Sequence, residues 1–176
     1  MLMDDKRKLL LPLVPADEIN ADLAGRILNV HRLIANSPDL VNTSAPLRNY
    51  LVRGSALTDR QRELLILRTA HNLQSEYEWA HHVVRGQAAG LSAEDIERTR
   101  GELDDETWSS EELALLSLAD EMFRDHRLSI NTATIMVSAL GNDGVVDAVF
   151  TVGYYLTLGT LLKTFDVPID EFLTSA

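Results

Sequence analysis

Cysteine is absent from this 176-residue chain, and that removes several classes of chemistry at once. Without a thiol there is no disulfide, no thiolate nucleophile, no Cys-type zinc site and no peroxide reduction through a reactive cysteine. Basic residues are also scarce: 16 Lys and Arg stand against 27 Asp and Glu, for a formal net charge of −11. Nucleic acids and anionic membranes need extended clusters of Lys and Arg, and the one basic run is the three-residue Lys6-Arg7-Lys8, so neither is expected as a partner. An anionic small molecule would bind against the bulk field, which requires a cation inside its pocket. Long hydrophobic runs are missing too. The N-terminal MLMDDKRKLLLPLVP holds one short apolar stretch broken by Pro12 and Pro15, without a signal cleavage site, and no segment approaches the length of a membrane span. The expected location is cytoplasmic.

Strand signals are likewise lacking, since alternating β-branched runs with hairpin turns do not occur, whereas helix-start signals recur. The chain therefore reads as all-α. Residues 1–16 form an extended arm, and residues 17–176 form one helical domain long enough to bury a core. Asp17 to Ala35 carries a helical stripe of Ile19, Leu23, Ile27, Val30 and Ile34. Asp39 to Arg53 reads as a weaker helix interrupted by Pro46 and closed by Gly54. Capping boxes then punctuate the middle: Thr58 with Gln61, Ser75 with Glu78, Ser92 with Asp95, and Ser109 with Glu112. Ser129 or Asn131 opens a helix to Leu140, Asn142-Asp143-Gly144 marks a turn, and Val145 to Thr164 forms a long apolar helix. RELLIL at 62–67 echoes EELALL at 111–116, and EDIE at 94–97 echoes GVVD at 144–147, as a helical unit used twice would.

The octapeptide SEYEWAHH, residues 75–82, is ambiguous. At about 100° per residue, Glu78, His82, Arg85 and Ala89 share an arc of about 60° on one helix face. Glu78 and His82 are i,i+4 neighbours within reach of a hydrogen bond. Gly86 and Ala89 leave space above them, and Trp79 sits beside the arc as a wall. The alternative is structural: Ser75 and Glu78 cap the helix, and His82 lies on a solvated face. The preceding helix favours chemistry, because Glu63 shares a stripe with Ile66, Leu67 and Ala70. A carboxylate so placed acquires a partner or a proton. A tight turn would bring Glu63 to the start of the next helix as part of a general acid/base set.

RELLILRTAHNLQSEYEWAHHVVRGQAAGLSAEDIE resembles the carboxymuconolactone decarboxylase family, relatives of the alkylhydroperoxidase AhpD. The resemblance rests on E-L-x-I-L at Glu63 to Leu67, Y-E-W-x-x-H at Tyr77 to His82 and G-L-S-x-x-x-I at Gly90 to Ile96, within a core of about residues 50–100. It implies an AhpD-like helical bundle, homo-oligomers such as trimers or hexamers, and sites near subunit contacts. The peroxidase branch uses a glutamate, a C-x-x-C pair and a histidine. Glu63, Ser75, Glu78 and His82 stand at those positions, so both thiols are replaced and disulfide exchange cannot operate. The decarboxylase branch keeps E-W-x-x-H, matched here by Glu78, Trp79 and His82.

These residues lead to an expected chemistry. Glu63, Glu78 and His82 are the expected catalytic set, acting without a cofactor on a small unsaturated lactone or carboxylic acid by decarboxylation or isomerisation. His82 moves the proton, Glu78 orients its imidazole and Glu63 assists. Ser75, Tyr77, Trp79 and Arg85 are the expected substrate contacts; Arg85, with Arg68 as second choice, receives a carboxylate, and Tyr77 bonds a carbonyl oxygen. No metal is expected, because only one histidine is positioned: His81 points about 100° away, and His31, His71 and His126 read as surface or capping residues. A helical binding or scaffold protein that has lost its catalysis is the alternative. Gly153 and Gly159 read as close-packing positions, Trp108 packs at its helix start, and Asp120 and Glu121 form a solvated face.

Overall fold

The computed structural model describes residues 10–23, 25–104 and 106–174, so the beginning of the expected arm lies outside the described residues. They form an all-α fold: α1 Asn29–Ile34, α2 Pro38–Arg53, α3 Asp59–Leu73, α4 Glu76–Ala88, α5 Ala93–Arg98, α6 Ser110–Asp125, α7 Ile130–Thr164 and α8 Glu171–Thr174. Three of the four expected capping boxes form. Thr58, Ser92 and Ser109 each accept the amide three residues on, and the side chain at that position returns the bond.

Helix α3 lies at the centre. Leu64, Leu65, Ile66 and Leu67 are each no more than 1% exposed, so this helix is buried around its circumference along that turn, as a core helix must be. It packs against α4 on one side and against α6 and α7 on the others. Leu65 joins Leu115, Leu118, Met136, Ala148 and Val152 in one cluster. Leu64 and Leu67 join Leu91, Ile96, Trp108 and Leu116 in another, which places Trp108 in the core.

The N-terminal helix expected over Asp17 to Ala35 is mostly absent. A single 3₁₀ turn, Ala16–Glu18, and the short α1 replace it. Gly25 at φ +117° sits in a conformation a helix cannot contain. Leu23 is still buried beside Ala35, Val41 and Ala45, with Ile19 and Ile27 partly buried against them, but from a non-helical chain. Conversely, α2 runs unbroken through Pro46, and Pro38 occupies its first turn. The break in α7 falls at Gly141 (φ 70°), just before the expected turn. At 35 residues α7 is long and apolar enough to cross a membrane, contrary to the expectation for any segment here; in this structure Met136, Ala148, Val152 and Leu162 are core residues. The two echoed motifs fall on α3 with α6, and on the short α5 with the interior of α7.

Two residues expected on a solvated face are structural. Asp120 accepts from Arg68 Nε at 2.6 Å and from Nη2 at 2.7 Å, while Arg68 Nη1 also donates to the carbonyls of Thr99 and Gly101. Glu121 accepts from the Ser129 amide and the Thr132 hydroxyl, fixing the start of α7. Arg68 is thus a buried tie between α3, α6 and the end of α5, and no substrate contact. Arg68→Ala leaves the Asp120 carboxylate with the Asn72 amide and strands two carbonyls, and we expect a loss of about 2–4 kcal/mol in urea unfolding. A loss below about 1 kcal/mol, the range of an exposed pair, would refute this tie.

Candidate functional site

The joint between α3 and α4 sets the site. Gln74 adopts a left-handed conformation (φ 52°, ψ 44°), and the Ser75 amide donates back to the Ala70 carbonyl. So tight a turn folds α4 back along α3 and brings the first turns of α3 to the second half of α4. Glu63 Oε2 and His82 Nδ1 lie 2.6 Å apart, with the two residues only 3% and 4% exposed. Burial raises the affinity of the Glu63 carboxyl for a proton, but His82, Arg62 and Arg85 together outweigh it, so Glu63 titrates below its ordinary range. For His82, burial outweighs the attraction of Glu63, and its pKa is lowered. The pair is therefore a carboxylate and a neutral imidazole whose Nδ1–H donates to Glu63. No group among the described residues bonds to the other ring nitrogen, Nε2, which keeps a free lone pair.

Glu78 behaves differently from both expectations. Ser75 is the N-cap residue of α4 but makes no side-chain cap bond, and neither carboxyl oxygen of Glu78 has a hydrogen-bond partner. Ser75 sits at ψ 94°, whereas the capping Thr58, Ser92 and Ser109 sit between 157° and 162°. The tight turn imposes that rotation and aims the hydroxyl away from the amides. Glu78 points inward against Gly159 of α7, where an added Cβ would stand 2.7 Å from Oε2. Burial alone pushes its pKa up to about 8, so it is protonated at neutral pH. Glu63, and not Glu78, orients the imidazole.

Glu78 and His82 line a cavity of about 40 Å³ together with Tyr77, His81, Arg85 and Tyr155. Arg48 and His31 complete its polar wall, and Leu28, Val30, Leu158 and Leu162 its apolar one. Arg48 is 8% exposed and donates to Asn49 Oδ1, while Arg85 has no hydrogen bond or ion pair to its side chain among the described residues. Among the described residues neither guanidinium bonds a carboxylate, although Arg85 is near enough to Glu63 to favour its charged form. His31 accepts from the Leu28 amide through Nδ1, and burial with Arg48 and Arg85 nearby lowers its pKa to about 4. The hollow is electropositive inside an acidic protein.

Several expected contacts fall elsewhere. Trp79 packs with the Leu64 and Leu67 cluster and carries Arg100 over its ring at 3.5 Å, so it does not wall the cavity. Gly86 faces Leu91 and Leu67 and leaves no space above the pair. Ser75 is buried but lies outside the cavity wall. Tyr77 does line it, yet its hydroxyl is committed, donating to Asp170 at 2.5 Å and accepting from the Val30 amide. His81, expected to point away, lines the cavity; its Nδ1 bonds the Tyr77 carbonyl, and its ring stacks on Tyr77. His31 is a capping residue as expected, but a buried one. Arg48 was findable, because it occupies an apolar slot in the stripe Val41, Ala45, Arg48. Tyr155 occupies the same kind of slot after Ala148 and Val152, and nothing local marks Asp170. Among the described residues, no group of three His, Asp or Glu is placed to hold a metal ion.

Residues 38–121 match the Carboxymuconolactone decarboxylase family. The fold is similar to the crystal structure of an uncharacterized peroxidase-related protein from Silicibacter sp. TM1040, with a TM-score of 0.78, 16% identity, and coverage of 98% of this chain and 97% of that one. No curated protein matches the chain.

The raised pKa of Glu78 gives a testable pH dependence. Between its ordinary value of 4.5 and about 8 the folded state holds a proton that the unfolded state has lost, so this group's stabilising contribution declines as pH rises through that window. His31 acts oppositely below its ordinary value of 6.5, so the wild-type decline stands out only above that pH. Glu78→Gln removes the Glu78 contribution. We expect the stability of the variant relative to wild type to improve by about 1.4 kcal/mol per pH unit across the window, measured by urea unfolding. A difference that does not change with pH would show that Glu78 is ionised in the folded protein.

Proposed function

We propose that this chain, whose residues 38–121 match the Carboxymuconolactone decarboxylase family, is a cofactor-independent acid/base enzyme. It decarboxylates or isomerises a small unsaturated lactone or carboxylic acid. The observation that carries this reading is the 2.6 Å bond between Glu63 and His82 at the wall of a cavity that also holds the unpartnered, protonated Glu78. An oriented base and a separate acid in one hollow are what proton transfer to and from carbon requires.

The roles follow from the protonation states. Glu63 fixes the tautomer of His82, leaving Nε2 to accept a proton. Glu78 is the donor. In decarboxylation the bond to the carboxylate carbon breaks, its electron pair passes into the conjugated system as a dienolate, and carbon dioxide leaves. Glu78 then protonates the dienolate carbon and is recharged from water. In isomerisation His82 removes a proton beside the carbonyl, and Glu78 supplies one at the far end of the dienolate. Arg85 and Arg48 hold an anionic group of the substrate and stabilise the developing oxyanion. With Tyr77 committed to Asp170 and Val30, it shapes the wall instead of bonding substrate.

A binding protein without chemistry would account for the two arginines. It would not account for an imidazole held in one tautomer opposite a neutral carboxylic acid. Reduction of peroxides by thiols has no residue to carry it, since the chain has no cysteine. The proposal includes a cytoplasmic homo-oligomer, by family resemblance; exposed Val146 and Phe150 on α7 are apolar surface that an assembly would cover.

The test is a panel of unsaturated lactone acids with carbon dioxide release and double-bond migration as readouts. We expect His82→Ala to lower kcat by about 10²–10⁴-fold and Glu63→Gln to lower it through loss of the tautomer. The rate should fall as pH rises through about 8, where Glu78 loses its proton. A His82→Ala protein with undiminished turnover would remove the imidazole from the mechanism.

A further inference from the structure

We infer that the bulk of the ligand lies outside the reacting cavity, in a second hollow where Arg26 and Phe172 select a carboxylate with an extended unsaturated tail. This rests on the carboxylate-binding part of the preceding proposal and adds where the rest of the molecule goes and which residues choose it.

Size argues first. The inner cavity, at about 40 Å³, holds only about three water-sized centres at ~10–15 Å³ each. A second hollow of about 300 Å³ shares Leu28, His81, Arg48 and Arg85 with it. Those four residues border both hollows, so an anion gripped by Arg48 and Arg85 finds its larger space on the outer side.

Chemistry argues next. Val84, Leu173 and Phe172 line the outer hollow, and Val84 and Phe172 are 51% and 45% exposed, so together they offer apolar surface to a tail. Arg26 lies over that ring at 4.4 Å from its centroid, leaving a cation and an aromatic edge at the mouth. Phe172 also meets His81 edge-on at 6.0 Å, and His81 in turn stacks on Tyr77, so the outer ring is joined to the inner wall. Asp170, two residues before Phe172, secures this segment by accepting from the Asn29 amide and the Tyr77 hydroxyl.

Position argues last. Arg26 and Phe172 both lie outside residues 38–121, the part that matches the family. The two segments flanking that core converge on one mouth and supply its selecting residues.

The experiment measures binding of acetate, sorbate and cinnamate by calorimetry to the full chain and to variants at pH 7. Wild type should prefer cinnamate and sorbate to acetate, and Phe172→Ala should reduce the cinnamate-to-acetate affinity ratio about tenfold, while Phe172→Tyr retains it. Arg26→Gln should reduce the ratio less. Arg48→Met should weaken all three ligands, and circular dichroism checks that each variant is folded. If Phe172→Ala keeps the wild-type ratio while Arg48→Met still weakens binding, the tail does not occupy the outer hollow and the inference fails, with the proposed chemistry untouched. If wild type binds none of the three, the carboxylate-binding reading fails and takes this inference with it.

Discussion

The buried hydrogen bond between Glu63 and His82 organises this molecule. It joins the first turns of α3 to the second half of α4, two helices that the left-handed Gln74 already folds back to back. An ionised carboxylate at 3% exposure is costly unless its charge is answered. Here the imidazole N–H answers it on one oxygen and Arg62 stands 3.6 Å from the other. The first answer depends on the turn, whereas Arg62 is the neighbour of Glu63 on α3 itself. A longer connection between α3 and α4 would let the helices slide, and a one-residue shift along α4 rotates a side chain by about 100° out of the contact.

That constraint propagates to Glu78 and Ser75. The same tight turn holds Ser75 at ψ 94° and stops it from capping α4, which forgoes about 1 kcal/mol of helix stabilisation. Glu78, released from capping, is driven into the interior, where it has no partner and holds its proton. One geometric requirement thus yields two carboxyl groups of opposite protonation on neighbouring helices: an ionised one beside an imidazole and a neutral one against Gly159. Environments that push like groups apart in pKa are the usual basis for dividing acid and base roles. The cavity cations complete the scheme, since Arg48 and Arg85 bring positive charge to a hollow whose only unpaired acid is neutral.

Much of this was legible in the sequence, and the failures share a cause. Burial of Glu63 followed from its stripe with Ile66 and Leu67, and its meeting with α4 followed from the short connection. The boxes at Thr58, Ser92 and Ser109 were read correctly because capping is local. Ser75-x-x-Glu78 has the same letters, but the preceding residue's conformation decides whether the hydroxyl can reach the amides, and no window of letters records that. The stripe of Ile19, Leu23 and Ile27 was taken for a helix because period-four burial looks the same when an irregular strand of chain lies across α2; Gly25 was the residue that should have weighed against it. His81 misled for a subtler reason. Angles on one helix say which side chains diverge, but not that Tyr77 and the α8 segment would wrap the cavity around to meet it. Asp170 and Phe172 were invisible because their partners stand 93 and 91 positions away, at Tyr77 and His81.

A fold that needed only stability would not keep this arrangement. Replacing Glu78 by an apolar residue of similar volume would remove a buried carboxyl with no hydrogen bonds, and replacing Arg48 would remove a nearly buried charge that has an amide oxygen and no carboxylate for company. Each group is a liability in the empty protein and an asset once an anion with a proton to gain or lose occupies the hollow. Arg68 makes the contrast within the same chain: equally buried, it meets Asp120 and two carbonyls, leaving its guanidinium nothing further to bind. Satisfied polar groups such as Arg68 hold helices together, whereas Glu78 and Arg85 face the hollow without a hydrogen bond among the described residues.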